Sequence, residues 1–239
     1  MPLTLPLESL DATFAHAWRL LRLSVAPRRS PPLVSFRTPV VASSDASGAP
    51  QQRVMVLRAV ECDGYDAPGP PPSALPRLRF HTDVRSRKCA ELSGGARCGV
   101  LFYDKAEKLQ LRAAGRAQLH ELRRQHAEAA RAWGEAAPMS RKCYFVDEAP
   151  GQAVSLEALR GLREALRGVD TQRAEPPSPH FACIVVHVSQ LELLYLSHDD
   201  SRRAVARYSV ADGGASDGSA PSSGGEHSTV RCSYEWLVP

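Results

Sequence analysis

The sequence predicts an α+β domain in which a meander of short strands curls into a barrel and a few helices stand aside from it. Short apolar runs rich in β-branched residues recur along the chain. Several are joined by hairpin-length connections, which favour antiparallel pairing. Helical periodicity is confined to a few separate segments.

Residues 8–24, ESLDATFAHAWRLLRLS, space Leu10, Phe14, Trp18 and Leu21 as one face of an amphipathic helix that docks on the core. Pro27, Pro31 and Pro32 end it. Strands are expected at 33–43, 52–61, 77–83, 98–104 and 109–119. The Pro- and Gly-rich stretch 61–76 reads as a surface loop, and YDKAEK as a hairpin turn. Residues 120–136 and 155–169 carry helix formers at helical spacing, with Ser155 placed to cap the second. The long β-branched run 181–197 and the segments 204–210 and 229–239 complete the strands. Residues 211–228, ADGGASDGSAPSSGGEHS, read as a flexible Gly/Ser loop. The whole, 1–239, is expected to form a single domain.

With 239 residues and a net charge of +4, the chain has room for a sizeable core and a mild bias towards anions. That charge is too small for a dedicated nucleic-acid binder, and aromatics scarcely interleave with the basic residues. No apolar run is long enough to cross a membrane as a helix. The N-terminal segment lacks the pattern of a secretory signal. The six cysteines form no CxxC pair and no zinc-spaced cluster, so no metal is expected. Reduced thiols and a cytoplasmic location are the expectation.

The stretch RFHTDVRSRKCAEL, 79–92, gathers Arg85, Arg87 and Lys88 where a strand gives way to a helix. Cations at a helix start oppose its dipole, and a bound anion would offset that cost. Thr82, Ser86, Arg87 and Lys88 offer hydroxyls, a fork and a point charge suited to phosphate. On chemistry alone, a solvated basic turn is an equal reading. Arg53 and Arg58 flank the apolar run RVMVLR. Five residues apart in a regular strand, they face opposite sides unless a bulge intervenes. Gln110 and Arg112 share a face, and Gly115 permits a bulge or a close approach. His187 reads as a core histidine, and His120 and His126 as part of a solvated helix face.

RVMVLR, FHTDVRSRKCAEL, FYD, LQLRAAG and the closing YEWLVP, in this order, resemble the pyridoxamine 5′-phosphate oxidase family of FMN-binding split barrels. The resemblance covers most of the chain from about Val34 onward. It implies a six-stranded antiparallel split β-barrel with peripheral helices, working as a homodimer with FMN at the interface. By that resemblance Arg53, Val54, Met55 and Val56 run under the flavin. Arg53, Arg87 and Lys88 bind its phosphate, with Thr82 and Ser86 beside them. Gln110 meets the flavin or its phosphate from across the dimer interface, Arg207 meets the flavin, and Arg58 and Arg203 fall at substrate positions.

The oxidases' Arg-Leu-His-Asp-Arg segment is RAVARY here, so Arg203 and Arg207 fit while Val205 replaces the histidine. Arg58 replaces the oxidase lysine, and Trp236 the arginine of the closing motif. The flavin half of the site is kept and the amine-substrate half is not, as in a divergent branch. The expected function is an FMN-dependent oxidoreductase resembling pyridoxamine 5′-phosphate oxidase but with altered substrate residues, acting on pyridoxamine or pyridoxine 5′-phosphate or on another small molecule, with O2 or a visiting NAD(P)H as redox partner. The alternative is a non-catalytic FMN-binding, carrier or regulatory protein. No catalytic side chain is assigned, because flavin chemistry requires none.

Overall fold

The computed structural model describes residues 9–26, 35–67, 72–169, 177–198, 200–210 and 229–239. Its strands are β1 (Val40–Ser44), β2 (Pro50–Val54), β3 (Leu57–Glu61), β4 (Arg77–Asp83), β5 (Arg97–Asp104), β6 (Leu109–Glu121), β7 (Phe181–Tyr195), β8 (Arg202–Val210) and β9 (Val230–Leu237). The helices are α1 (Leu10–Val25), α2 (Arg87–Glu91), α3 (Ala127–Glu135), α4 (Pro138–Arg141) and α5 (Leu156–Gly168). All pairings are antiparallel, in the order β2-β1-β5-β6-β7-β4-β3.

The two ends of that order are consecutive in the chain. β2 stops at Val54 and β3 starts at Leu57, so Met55 and Val56 join the sheet's edges and close it into a ring. Backbone bonds seal the seam: the Met55 N–H donates to the Pro39 carbonyl at 3.0 Å and the Leu57 N–H to that of Arg37 at 2.8 Å. Counting β2 and β3 as one bent strand, the ring has the six members expected. The strand total of nine comes from that break and from β8 and β9, which extend the sheet beyond the ring.

The ring splits at β7. Its first half pairs with β4 as far as His187, and its second half pairs with β8 from Gln190. At the change of partner the β6–β7 register slips, leaving Ser189 as a bulge opposite the Ala114–Gly115 step. A Cβ on Gly115 would lie 2.1 Å from the His187 carbonyl oxygen. The close approach expected at this glycine is therefore made to backbone.

Inward residues such as Val41, Leu57, Leu78, Phe80, Phe102 and Leu111 fill the barrel. α1 covers one end of it with Phe14, Ala17, Trp18 and Leu21. Phe14 stacks on Tyr234 and the Trp18 indole N–H donates to the Tyr208 hydroxyl at 2.9 Å. Burying two such aromatics contributes roughly 1.5–3 kcal/mol each, enough to hold the helix. A second apolar cluster lies outside the barrel, where Trp133 of α3 meets Tyr144, Phe181, Cys183 and Val185.

Besides the break of the strand expected at 52–61, the structure differs from the sequence-based expectation in several further places. Residues 35–39 precede β1 instead of belonging to it. The helix expected at 120–136 begins only at Ala127, because β6 runs on to Glu121 in register with β7 and a 3-10 turn follows at Leu122–Arg124. His120 consequently lies on a strand, its Nδ1 3.0 Å from Nε2 of His126. The loop at 61–76 is not wholly superficial: Cys62, Tyr65 and Asp66 are buried, and the Tyr65 hydroxyl donates to the Ala74 carbonyl. His187 is half-buried and bonded to Gln118 at 3.2 Å rather than sunk in the core. The loop expected at 211–228 lies outside the described residues.

α5 begins as expected, with the Ser155 hydroxyl accepting from the Ala158 N–H, yet it has no fully buried residue. All six cysteines are unpaired. Among the described residues no helix is long and apolar enough to cross a membrane, and no three metal-ligating side chains converge.

Candidate functional site

The closure of the ring creates the site. Where β2 passes to β3 the chain changes partners from β1 to β4, and the side chains alternate across the seam. Val54 is 66% exposed, Met55 7% and Val56 37%. These three residues form one wall of a cavity of about 280 Å3. Thr82 and Asp83 of β4 and Lys88 of α2 form the facing wall, and Cys143, Tyr144 and Pro150 close a side. Arg58 and His81 complete the lining and also line a second cavity beyond it.

The charges of the basic turn separate into different tasks. Arg85 is a structural latch: its guanidinium holds the Asp83 carboxylate at 2.8 and 3.0 Å and donates to the Val146 and Asp147 carbonyls. Asp83 also accepts from the Arg85 N–H, a turn that precedes the helix cap. Hydrogen bonding to Asp83 raises the Arg85 pKa. Arg53 pairs with Glu91, whose side chain is buried, and donates to the Ser43 hydroxyl at 2.6 Å.

Lys88 has no ion pair among the described residues, and its Nζ lies 3.5 Å from the Thr82 hydroxyl. Burial lowers its pKa, and Arg53 nearby adds to the effect. A half-buried ammonium whose charged form is penalised in this way is a natural anion partner. The helix dipole adds little, because α2 has only five residues. Ser86 caps α2 by position only. Its hydroxyl bonds the Asp83 carbonyl at 2.7 Å and lies 3.1 Å from that of Thr82. The Cys89 thiol sits against this hydroxyl pair, its pKa raised by burial.

The cavity thus unites Val54, Met55, Val56, Arg58, Thr82 and Lys88 of the residues singled out from sequence. Arg53 is close enough to influence Lys88. Arg87 is exposed and lines a separate hollow with Ser44 and Asp45. Gln110 lies on β6 opposite Tyr103 and Leu194 and does not line the cavity. Arg203 and Arg112 converge on the buried Glu192, and Arg207 pairs with Glu235 at 2.7 Å.

Residues that the sequence did not flag are His81, Glu91, Cys143 and Tyr144. Both His81 ring nitrogens are buried without a hydrogen-bond partner among the described residues. Burial, then Arg58 and Arg79, lower its pKa to about 3. The alternation of His81 with Thr82 in RFHTD placed it on the opposite face of β4, but nothing local showed that this face is covered.

Comparison with known proteins agrees with this architecture. Residues 15–121 match the family model described as the FMN-binding domain of pyridoxamine 5′-phosphate oxidase. Over those residues the chain is similar to the FMN-binding domain of that family. No match was found among curated protein sequences. Among solved structures, a pyridoxamine 5′-phosphate oxidase-related FMN-binding protein from Nostoc punctiforme aligns over 100% of both chains, at 21% identity and a TM-score of 0.63. PhzG from Burkholderia lata, in complex with tetrahydrophenazine-1-carboxylic acid, aligns over 85% of this chain and 83% of its own, at 20% identity and a TM-score of 0.58. At these identities the likeness establishes the split-barrel fold.

Proposed function

We propose that the protein is a single-domain FMN flavoprotein that carries out redox chemistry on a small molecule as a homodimer. The observation that carries this reading is the position of Lys88, a half-buried cation with no ion pair among the described residues, facing Val54–Val56 across one cavity beside the Thr82 hydroxyl. A phosphate dianion there would compensate Lys88 and accept from Thr82. Arg53, held by Glu91, would add charge from behind without needing to be free. The exposed Val54 and Val56 continue the cavity as an open apolar ledge on which a planar ring can lie. When bound, FMN would supply the hydride and electron chemistry, and the chain would orient it and exclude water.

The dimer is supported by the outer face of the sheet. Val54, Val40 and Leu101 stand side by side across β2, β1 and β5, and Tyr103 follows on β5 at 47% exposure. A second protomer laid on this patch would cover it and close the ledge over the flavin. Gln110, opposite Tyr103, would then reach a flavin from the partner side. The unpaired thiols favour a reducing compartment such as the cytoplasm.

The non-catalytic alternative also has an observation in its favour. Arg203 and Arg207, which fall at substrate and flavin positions by resemblance, are tied to Glu192 and Glu235. The two readings separate in one anaerobic experiment on FMN-loaded protein. NADPH, NADH and amine donors are added in turn, and the flavin absorbance is followed before and after readmitting O2. Bleaching by one donor with recovery in air marks an oxidoreductase; a flavin that no donor reduces marks a carrier.

A further inference from the structure

α5 is poorly matched to its surroundings. Leu162 and Leu166 share one helix face with Ala158, Gly161 and Ala165, at the i, i+3, i+4, i+7, i+8 spacing of a core-facing stripe. A helix of 13 residues owes most of its stability to the packing of such a stripe. Yet no residue of α5 is fully buried. Between this face and residues 145–148 lies a cavity of about 290 Å3. Small side chains keep it open: a Cβ added to Gly161 would meet nothing within 4 Å.

The opposite wall comes from the segment before α5. Phe145 and Val146, both half-buried, make it apolar at one end, and Asp147 and Glu148 make it acidic at the other. Among the described residues the lining has these two carboxylates and no cation. Oε2 of Glu148 is buried and has no hydrogen-bond partner among the described residues. Arg85 is near enough to feel both carboxylates. Its guanidinium is already engaged by the Asp83 carboxylate and by the Val146 and Asp147 carbonyls. A buried carboxylate oxygen calls for a donor, and a cationic donor serves it best. In a hollow walled by Leu, Ala and Phe side chains, that donor fits when it is carried on an apolar body. The volume lies at the small end of organic-ligand pockets, which span roughly 300–1,000 Å3, and suits a body of about one ring.

We propose that this cavity binds a small organic cation, an amine whose ammonium group donates to Glu148 while its apolar body lies along Leu162 and Leu166. The site shares no lining residue with the flavin cavity, so the proposal does not rest on the flavin reading. The two cavities stand back to back on one segment. Cys143, Tyr144 and Pro150 wall the flavin cavity, and residues 145–148 between them wall this one. A bound amine would brace the same segment that Arg85 latches.

The test is calorimetric titration of the full-length, FMN-incubated protein with 2-phenylethylamine and with its neutral counterpart 2-phenylethanol. It is repeated on Glu148→Gln, on Gly161→Leu and on the control Glu164→Gln, an exposed carboxylate of α5 outside the cavity. The amine should bind the parent saturably and the alcohol at least about tenfold more weakly. Glu148→Gln should weaken amine binding about tenfold or more, from the loss of a charge-assisted hydrogen bond. Gly161→Leu should abolish it by filling the hollow, and because leucine is the better helix former the loss would not come from melting α5. Glu164→Gln should leave it unchanged. No saturable amine binding to the parent overturns the proposal, as does an alcohol that binds as tightly as the amine. Amine binding that survives both cavity variants belongs to the flavin cavity or the surface and overturns it too. A parent dimer that Gly161→Leu converts to a monomer on gel filtration, with no amine bound by the parent, would give the hollow to a second copy of the chain instead.

Discussion

His81 should make the protein acid-sensitive in a pH window that its carboxylates do not share. Its pKa in the folded chain lies near 3, against 6.5 for an unperturbed histidine. Between those values the unfolded chain binds a proton at this position and the folded chain does not. Stability therefore rises with pH across the window and is lost as pH falls through it. From about pH 7.5 to about pH 5 the cost is about 2 kcal/mol, at about 1.36 kcal/mol per pH unit below the unfolded pKa. His81→Phe removes the titrating group and keeps a ring against Phe181, whose centroid lies 5.0 Å away. No hydrogen bond among the described residues is lost, because neither ring nitrogen has one there. His16, His120 and His187 are also held low by burial, but they are common to parent and variant. The assay is urea unfolding of both proteins at the two pH values, in buffers free of phosphate and carboxylate. The parent should lose about 2 kcal/mol more than the variant on acidification. Parallel losses would refute the claim that His81 is buried neutral beside Arg58 and Arg79.

Two other perturbations follow from the geometry. Gly115→Ala drives a methyl into the His187 carbonyl, a backbone atom that cannot step aside, at the point where β7 changes partners. It should destabilise the fold by at least about 2 kcal/mol in urea unfolding, and a stable, native-like variant would show that the bulge is absent. Arg85→Ala removes the latch to the Val146 and Asp147 carbonyls and should speed amide hydrogen exchange or proteolysis around residues 142–150, leaving the barrel strands protected. Unchanged exchange there would show that the segment is held by Tyr144 packing alone.

The ring of strands was legible because each strand carries its own period-two pattern and each hairpin its own turn signal. The break at Met55–Val56 was not. VMVL, residues 54–57, is uniformly apolar, and what divides it is a change of pairing partner. The same is true of β6. HELRR is composed of good helix formers, yet pairing of His120 and Glu121 with β7 extends the strand through them. Phosphate chemistry could be read from Thr82 and Lys88, which lie close in sequence. The division of labour around them could not, since Glu91, Val146 and Asp147 claim Arg53 and Arg85 across the fold.

The most direct test of the central claim is the FMN content of the gel-filtered protein after incubation with excess FMN, measured for the parent and for Lys88→Met. The parent is expected to be yellow with about one FMN per chain, and the variant to bind FMN about ten- to a hundredfold more weakly, the loss expected for one charge-assisted contact. Far-ultraviolet circular dichroism should be the same for both. A parent that holds no FMN, or a variant that holds it as tightly as the parent, would contradict the assignment of this cavity to the flavin phosphate.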